Sequence, residues 1–206
     1  MAITDFETAI SIHQETTLTV ERKKKEIVGQ TIEKVFYVLA NYSDNSYTYE
    51  GFHLCDEAVL IQLSKNQWIS WVWLEDDPTS GYSYHLYYDD ARIAIEEREN
   101  NGITFLKQID QYTSSSRSIW SDETNSSAWK KFIGQKIEDI QFVTKKIDDI
   151  SFVSDVILNF KNESVRIIAI EEPDPELLPE IENLNFDPIW TMIVFNDEIL
   201  KKHNRF

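Results

Sequence analysis

The chain has 206 residues, with 20 Lys and Arg against 36 Asp and Glu, for a formal net charge of −16. That balance argues against nucleic acid and anionic membranes as partners, because both recruit basic surfaces. The single cysteine, Cys55, excludes an intramolecular disulfide and a cysteine metal cage, and a 42% hydrophobic content with five Gly and five Pro argues against a disordered chain.

Met1 to Glu7 lacks a basic stretch followed by an apolar run, and no apolar run nears the roughly 18 residues that span a bilayer. A cytoplasmic protein is therefore expected. Residues 1–28 read as a helical lead-in, with Ile3, Phe6, Ile10 and His13 at helical spacing. The basic run Arg22-Lys23-Lys24-Lys25, flanked by Glu21 and Glu26, reads as a solvated helix face. Gly29 suits the position just past a helix end, where left-handed backbone angles are common.

From Gly29 the period changes. Ile32 to Val38, Ala58 to Leu63, Trp68 to Leu74 and Tyr84 to Tyr88 are rich in β-branched and aromatic residues and read as strands. Asn41 to Gly51 reads as a turn region and Lys65-Asn66 as a hairpin turn. The run Glu75-Asp76-Asp77-Pro78 ends its strand, since proline has no N–H for the ladder. Residues 94–133 form a connector. Within it Ile103 to Ile109 is a candidate strand, and Tyr112 to Ser127, rich in Ser, Thr and Asn, is expected to be exposed. Trp129 to Ile133 reads as a short helical turn before Gly134. Strands are then expected at Ile137 to Val143, Asp155 to Phe160, Val165 to Ile170 and Thr191 to Phe195. Residues 174–186 are an acidic excursion in which Leu177, Leu178, Ile181 and Leu184 outline a short amphipathic helix.

The two strand-rich stretches match each other in sequence. Gly29-Gln30-Thr31-Ile32-Glu33 recurs as Gly134-Gln135-Lys136-Ile137-Glu138, Val59 to Leu63 aligns with Val156 to Phe160, and Leu86 to Asp90 aligns with Ile193 to Asp197. The blocks keep their order, which points to an internal repeat. The expected fold is α+β, mainly antiparallel β, with two tandem repeats of a small helix-turn plus four-strand module, residues 29–93 and 134–206, packed together. Ile32, Val35, Val59, Ile61 and Leu63 of the first and Ile137, Ile140, Val156, Leu158, Phe160, Ile167 and Val194 of the second are the expected core.

Chemistry-bearing motifs are sparse. The histidines are His13, His53, His85 and His203, and none pairs with another at metal-ligand spacing. His53 and Cys55 fall on one strand face and read as a half-buried pair. Ser83 and His85 have no third member beside them, and neither a nucleophile elbow nor a glycine-rich phosphate loop is present. Glu75, Asp76, Asp77, Asp89 and Asp90 are expected to converge at one end of the first sheet, and Glu171, Glu172, Asp174 and Asp197 at one end of the second. Such groups serve cations or acid–base chemistry, or are solvated turn residues, and the calcium-loop pattern is missing. The first repeat is denser in aromatic residues than the second. Trp71, Trp73, Tyr84 and Tyr88, with Asp76, Asp77, Asp89 and Asp90, form the candidate binding face. Rings supply contact area and carboxylates steer a basic partner.

The stretch Trp129-Lys130-Lys131-Phe132-Ile133-Gly134-Gln135-Lys136-Ile137-Glu138-Asp139-Ile140, followed by Ser154 to Phe160, resembles small acidic uncharacterised bacterial proteins, some of them immunity proteins of polymorphic toxin systems. The resemblance implies a cytoplasmic, cofactor-free binding protein that neutralises a toxin domain, and it carries no catalytic residues over; the acidic charge favours a basic one. The expectation is a non-enzymatic cytoplasmic binding protein. The alternatives are a carboxylate-dependent hydrolase and a ligand- or carbohydrate-binding β module on the Trp and Tyr face.

Overall fold

The computed structural model describes residues 6–39, 47–55, 58–75, 82–90, 119–147, 150–170, 190–196 and 198. One helix, α1 (Phe6–Ile27), is followed by strands β1 (Ile32–Leu39), β2 (Tyr47–Tyr49), β3 (Phe52–Cys55), β4 (Ala58–Leu63), β5 (Gln67–Glu75) and β6 (Tyr82–Asp90). Then come β7 (Ile119–Asp122), β8 (Asp139–Ile147), β9 (Ile150–Asn159), β10 (Ser164–Ile170) and β11 (Trp190–Val194). The architecture is α+β, with antiparallel strands in a five-stranded sheet ordered β6-β5-β4-β1-β7 and a six-stranded sheet ordered β2-β3-β11-β10-β9-β8.

Each sheet holds one four-strand meander, β1-β4-β5-β6 in the first and β8-β9-β10-β11 in the second. Their registers run in step. Val35 faces Ile61 as Ile140 faces Leu158, and Tyr37 faces Val59 as Phe142 faces Val156. On the far side Trp71 faces Leu86 as Ile167 faces Ile193. Asn66 carries the β4–β5 turn with φ 61°, a left-handed angle that Asn tolerates better than most residues.

The sheets close over one core. Val35, Tyr37, Val59, Ile61, Leu63, Ile69 and Trp71 from the first meet Ile140, Val156, Leu158, Val165, Ile167 and Ile193 from the second, and Val20 and Ile27 of α1 join them. All twelve residues expected in the core are buried, Val194 on the opposite face of its sheet from this cluster. That second face is buried too where Phe52, Leu54, Ile168 and Met192 lie. The helix packs against β6 and β9.

Two segments depart from the expected layout. Ile119–Asp122, within the stretch expected to be an exposed connector, is strand β7, paired with β1 from Phe36↔Asp122 to Leu39↔Ile119. Its polar character fits a strand at the sheet edge, and Glu123 just beyond it is buried. Tyr47–Tyr49 and Phe52–Cys55 leave the first sheet altogether. They extend the second through β11, with Phe52 opposite Val194 and Cys55 opposite Thr191. The first half thus lends a hairpin to the second half's sheet, which ties the halves into one body. Ile103 to Ile109 and residues 174–186 lie outside the described residues.

Candidate functional site

The halves meet where the two glycine-glutamine motifs pair. Gly29 N–H donates to the Ile137 carbonyl at 2.8 Å, and Gly134 N–H donates to the Ile32 carbonyl at 2.8 Å. One residue inward, Ile137 N–H reaches the Gln30 carbonyl at 2.9 Å and Ile32 N–H reaches the Gln135 carbonyl at 3.3 Å. These bonds bracket an antiparallel bridge between Thr31 and Lys136. Each glutamine side chain also folds back on its own preceding turn, Gln30 Nε2 to the Glu26 carbonyl at 2.8 Å and Gln135 Nε2 to the Lys131 carbonyl at 2.5 Å. The motif residues therefore do the same work on both sides: the glycine takes a left-handed angle, φ 88° at Gly29 and 78° at Gly134, and the glutamine caps.

Beside this junction lies a buried polar chain. Trp129 Nε1–H donates to the Tyr37 hydroxyl at 2.6 Å, and Tyr37 Oη lies 2.9 Å from His53 Nδ1. The hydroxyl accepts from tryptophan and shares one further hydrogen bond with the imidazole, whose direction follows the histidine tautomer. Phe195 packs edge-on to both His53 and Trp129. Burial pushes the His53 pKa down from 6.5 to about 4, and burial holds the Tyr37 phenol well above its usual value. Tyr37 is 1% exposed and His53 3%, so the pair lies within the packing between the sheets. Cys55 is buried beside His53 in β3, so both members of the expected pair are withdrawn from solvent more fully than the sequence suggested.

A second buried polar group lies on the other face of the six-stranded sheet. Arg166 Nε donates to Asp155 Oδ2 at 2.8 Å, and Arg166 Nη2 donates to the same oxygen. Asp155 is fully buried, and its Oδ1 has no hydrogen-bond partner among the described residues. Pairing sets Asp155 opposite Ile168 and Arg166 opposite Ile157, so the ion pair runs diagonally between β9 and β10.

The basic run of α1 borders a groove with Glu138 and Asp139. Lys24 Nζ sits 2.8 Å from Asp139 Oδ1, and the hydrogen bond from Lys24 holds that carboxyl below the usual range. The run is thus partly matched by acids of the second half rather than being a free basic patch.

The candidate binding face divides. Trp71 is buried and belongs to the core, which removes it from any exposed anchor. For Trp73, Tyr84, Tyr88, Asp89 and Asp90 the structure gives strand position: Trp73 opposite Tyr84, Ile69 opposite Tyr88, Trp68 opposite Asp89 and Gln67 opposite Asp90. Asp76 and Asp77 lie outside the described residues, as do Glu171, Glu172, Asp174 and Asp197. Glu75, however, faces Tyr82 at one end of the β5–β6 hairpin, whereas Asp89 and Asp90 face Trp68 and Gln67 at the other. At about 3.4 Å per residue the two ends lie more than ~20 Å apart. The expected convergence of Glu75 with Asp89 and Asp90 is therefore corrected: an antiparallel hairpin of this length separates them.

No group of three or more His, Cys, Asp and Glu with metal-site geometry occurs among the described residues. Among them, too, no helix is long and apolar enough to cross a membrane. No protein-family model, curated protein or solved structure matches the chain.

Proposed function

We propose that the chain is a non-enzymatic, cytoplasmic binding protein made of two tandem repeats, and that it takes a basic protein partner such as a toxin domain. The observation that carries the binding reading is the net charge of −16 on a chain whose two sheets share a hydrophobic core. Such a charge raises the local concentration of a cationic partner and speeds encounter, while it discourages self-association. The burial of Tyr37 and His53 supports the same reading, because the histidine and tyrosine that touch each other are committed to packing. The in-step registers of the two meanders and the reciprocal bonds of Gly29 and Gly134 support the repeat.

The test is co-expression and calorimetry with the protein encoded beside this gene. A basic partner that binds, more tightly at low salt than at high salt, and whose toxicity falls on co-expression supports the reading. A neighbour that neither binds nor is neutralised removes the toxin-neutralising role.

A further inference from the structure

The β2–β3 hairpin belongs to neither meander. It holds to the second sheet by a short ladder, Phe52–Cys55 against Thr191–Val194, and by the bond from Phe195 N–H to the Gly51 carbonyl at 2.9 Å. It holds to the first sheet through a side chain, since His53 Nδ1 lies 2.9 Å from Tyr37 Oη, which in turn accepts from Trp129. The chain Trp129–Tyr37–His53 thus runs from the turn before Gly134 through β1 to β3. A neutral imidazole can take either part in the Tyr37 bond, whereas a protonated one can only donate and brings a charge into the packing. The titratable groups around the ring are Tyr37 on β1, Cys55 on its own strand and Glu123 just past β7, whose carboxyl acts on Tyr37. Strands β2 and β11 set Thr48 and Ile193 opposite His53, and Phe195 packs edge-on to the ring. Among the described residues none of these groups offsets burial, which holds the His53 pKa down.

We propose that this chain of contacts is an acid-released latch: protonation of His53 frees the β2–β3 hairpin from β11 while both meanders stay folded. Short edge elements open at lower free energy than the strands they border. The hairpin ends the six-stranded sheet, with β2 outermost, so its release breaks no ladder within either meander. An imidazole freed into water titrates near its ordinary 6.5, against about 4 when buried, so the open form takes the proton first. Opening is therefore favoured progressively as pH falls from 6.5 toward 4, and gains nothing further below that. Release bares the β11 edge and, in β3, the thiol of Cys55. The latch goes beyond the binding reading above and does not depend on it.

The chain has one cysteine and it is buried in β3, so the Cys55 thiol reports on the hairpin. The full chain is labelled with a dipyridyl disulfide at pH 6.5 and at about pH 5. Each rate is divided by that of the urea-unfolded chain at the same pH, which cancels the change in thiolate fraction. The ratio is expected to rise about tenfold at the lower pH. It is expected to stay flat in His53→Gln, whose amide still bonds to Tyr37 but does not titrate. Low urea should leave the ratio unchanged, because a local opening exposes little surface. Three results overturn the proposal: a ratio that does not rise, an equal rise in His53→Gln, or a urea dependence as steep as that of global unfolding. Should His53→Gln fail to fold, NMR of the parent decides: a ring that titrates near 4 supports the latch, and one that titrates at its ordinary 6.5 overturns it.

Discussion

Thr31 and Lys136 face each other across an antiparallel bridge, at equal distance from Gly29 and Gly134 in their own motifs. Four backbone bonds around that bridge are reciprocal: Gly29 with Ile137 and Gly134 with Ile32, Ile137 with Gln30 and Ile32 with Gln135. A self-complementary contact of this kind is what a twofold axis produces between two copies of one surface. Under the proposed repeat, both surfaces would sit in a single chain.

The glycines should respond alike to substitution. A Cβ at Gly29 or Gly134 meets nothing within 4 Å, so packing offers no objection, but both residues hold positive φ. Gly29→Ala and Gly134→Ala should each cost about 1–2 kcal/mol through the left-handed backbone alone. Urea unfolding of the two variants checks this, and a large difference between them would show that the two motifs are not equivalent.

Burial of His53 makes stability fall on the acid side. Its folded pKa of about 4 lies below the ordinary 6.5, so the unfolded chain takes the proton first. The contribution is whole above pH 6.5, shrinks as pH drops from there toward 4, and amounts to up to about 3 kcal/mol at ~1.4 kcal/mol per pH unit. Replacing His53 with Gln should flatten that part of the stability–pH curve. Tyr37→Phe should cost about 2–4 kcal/mol near neutral pH, because Trp129 Nε1–H and His53 Nδ1 both lose their partner.

These buried polar contacts mark the limit of what the chain reveals as text. Strand positions were legible wherever β-branched and aromatic residues form runs: Ala58–Leu63 and Ser164–Ile170 fall where the pattern puts them, within a residue. Strand β7 was not, because Ile119-Trp120 is a short apolar pair in a polar stretch and only its pairing with β1 makes it a strand. Nor was the crossing of Phe52–Cys55 into the other sheet, since local pattern is blind to which edge a strand joins. The Tyr37–Trp129 bond joins residues 92 apart. Of the candidate face, the aromatic density was visible, but alternation alone did not tell the core side from the solvent side, and Trp71 proved to be core.

Asp155 and Arg166 should be worth more together than apart. Asp155→Ala leaves the Arg166 guanidinium buried beside apolar neighbours and should cost about 3–5 kcal/mol. The double change Asp155→Leu with Arg166→Met removes both charges and should be far milder, within ~1–2 kcal/mol of the parent. A double-mutant cycle by chemical unfolding gives the comparison. Equal losses for the single and double variants would mean that the charges themselves are needed.

If acidic steering assists a basic partner, changing Asp76, Asp77, Asp89 and Asp90 together to Asn should slow association at low salt and leave dissociation nearly unchanged. Stopped-flow mixing with the partner identified by calorimetry reads both rates. An association rate unaffected at low ionic strength would place the steering charges elsewhere on the acidic surface.

The pairing of the two glycine-glutamine motifs is tested most directly by a cross-link across the Thr31–Lys136 bridge. The bonds Ile32 N–H to Gln135 and Ile137 N–H to Gln30 flank Thr31 and Lys136, which makes them a non-hydrogen-bonded pair. Such pairs hold their Cα atoms about 4.5 Å apart, within the range a disulfide bridges. In a Thr31→Cys, Lys136→Cys variant, with the native Cys55 buried, mild oxidation should give an intramolecular disulfide in the monomer and raise the melting temperature. Thiols that stay reduced, or that join only between chains, would contradict the pairing of the two motifs on which the proposed repeat rests.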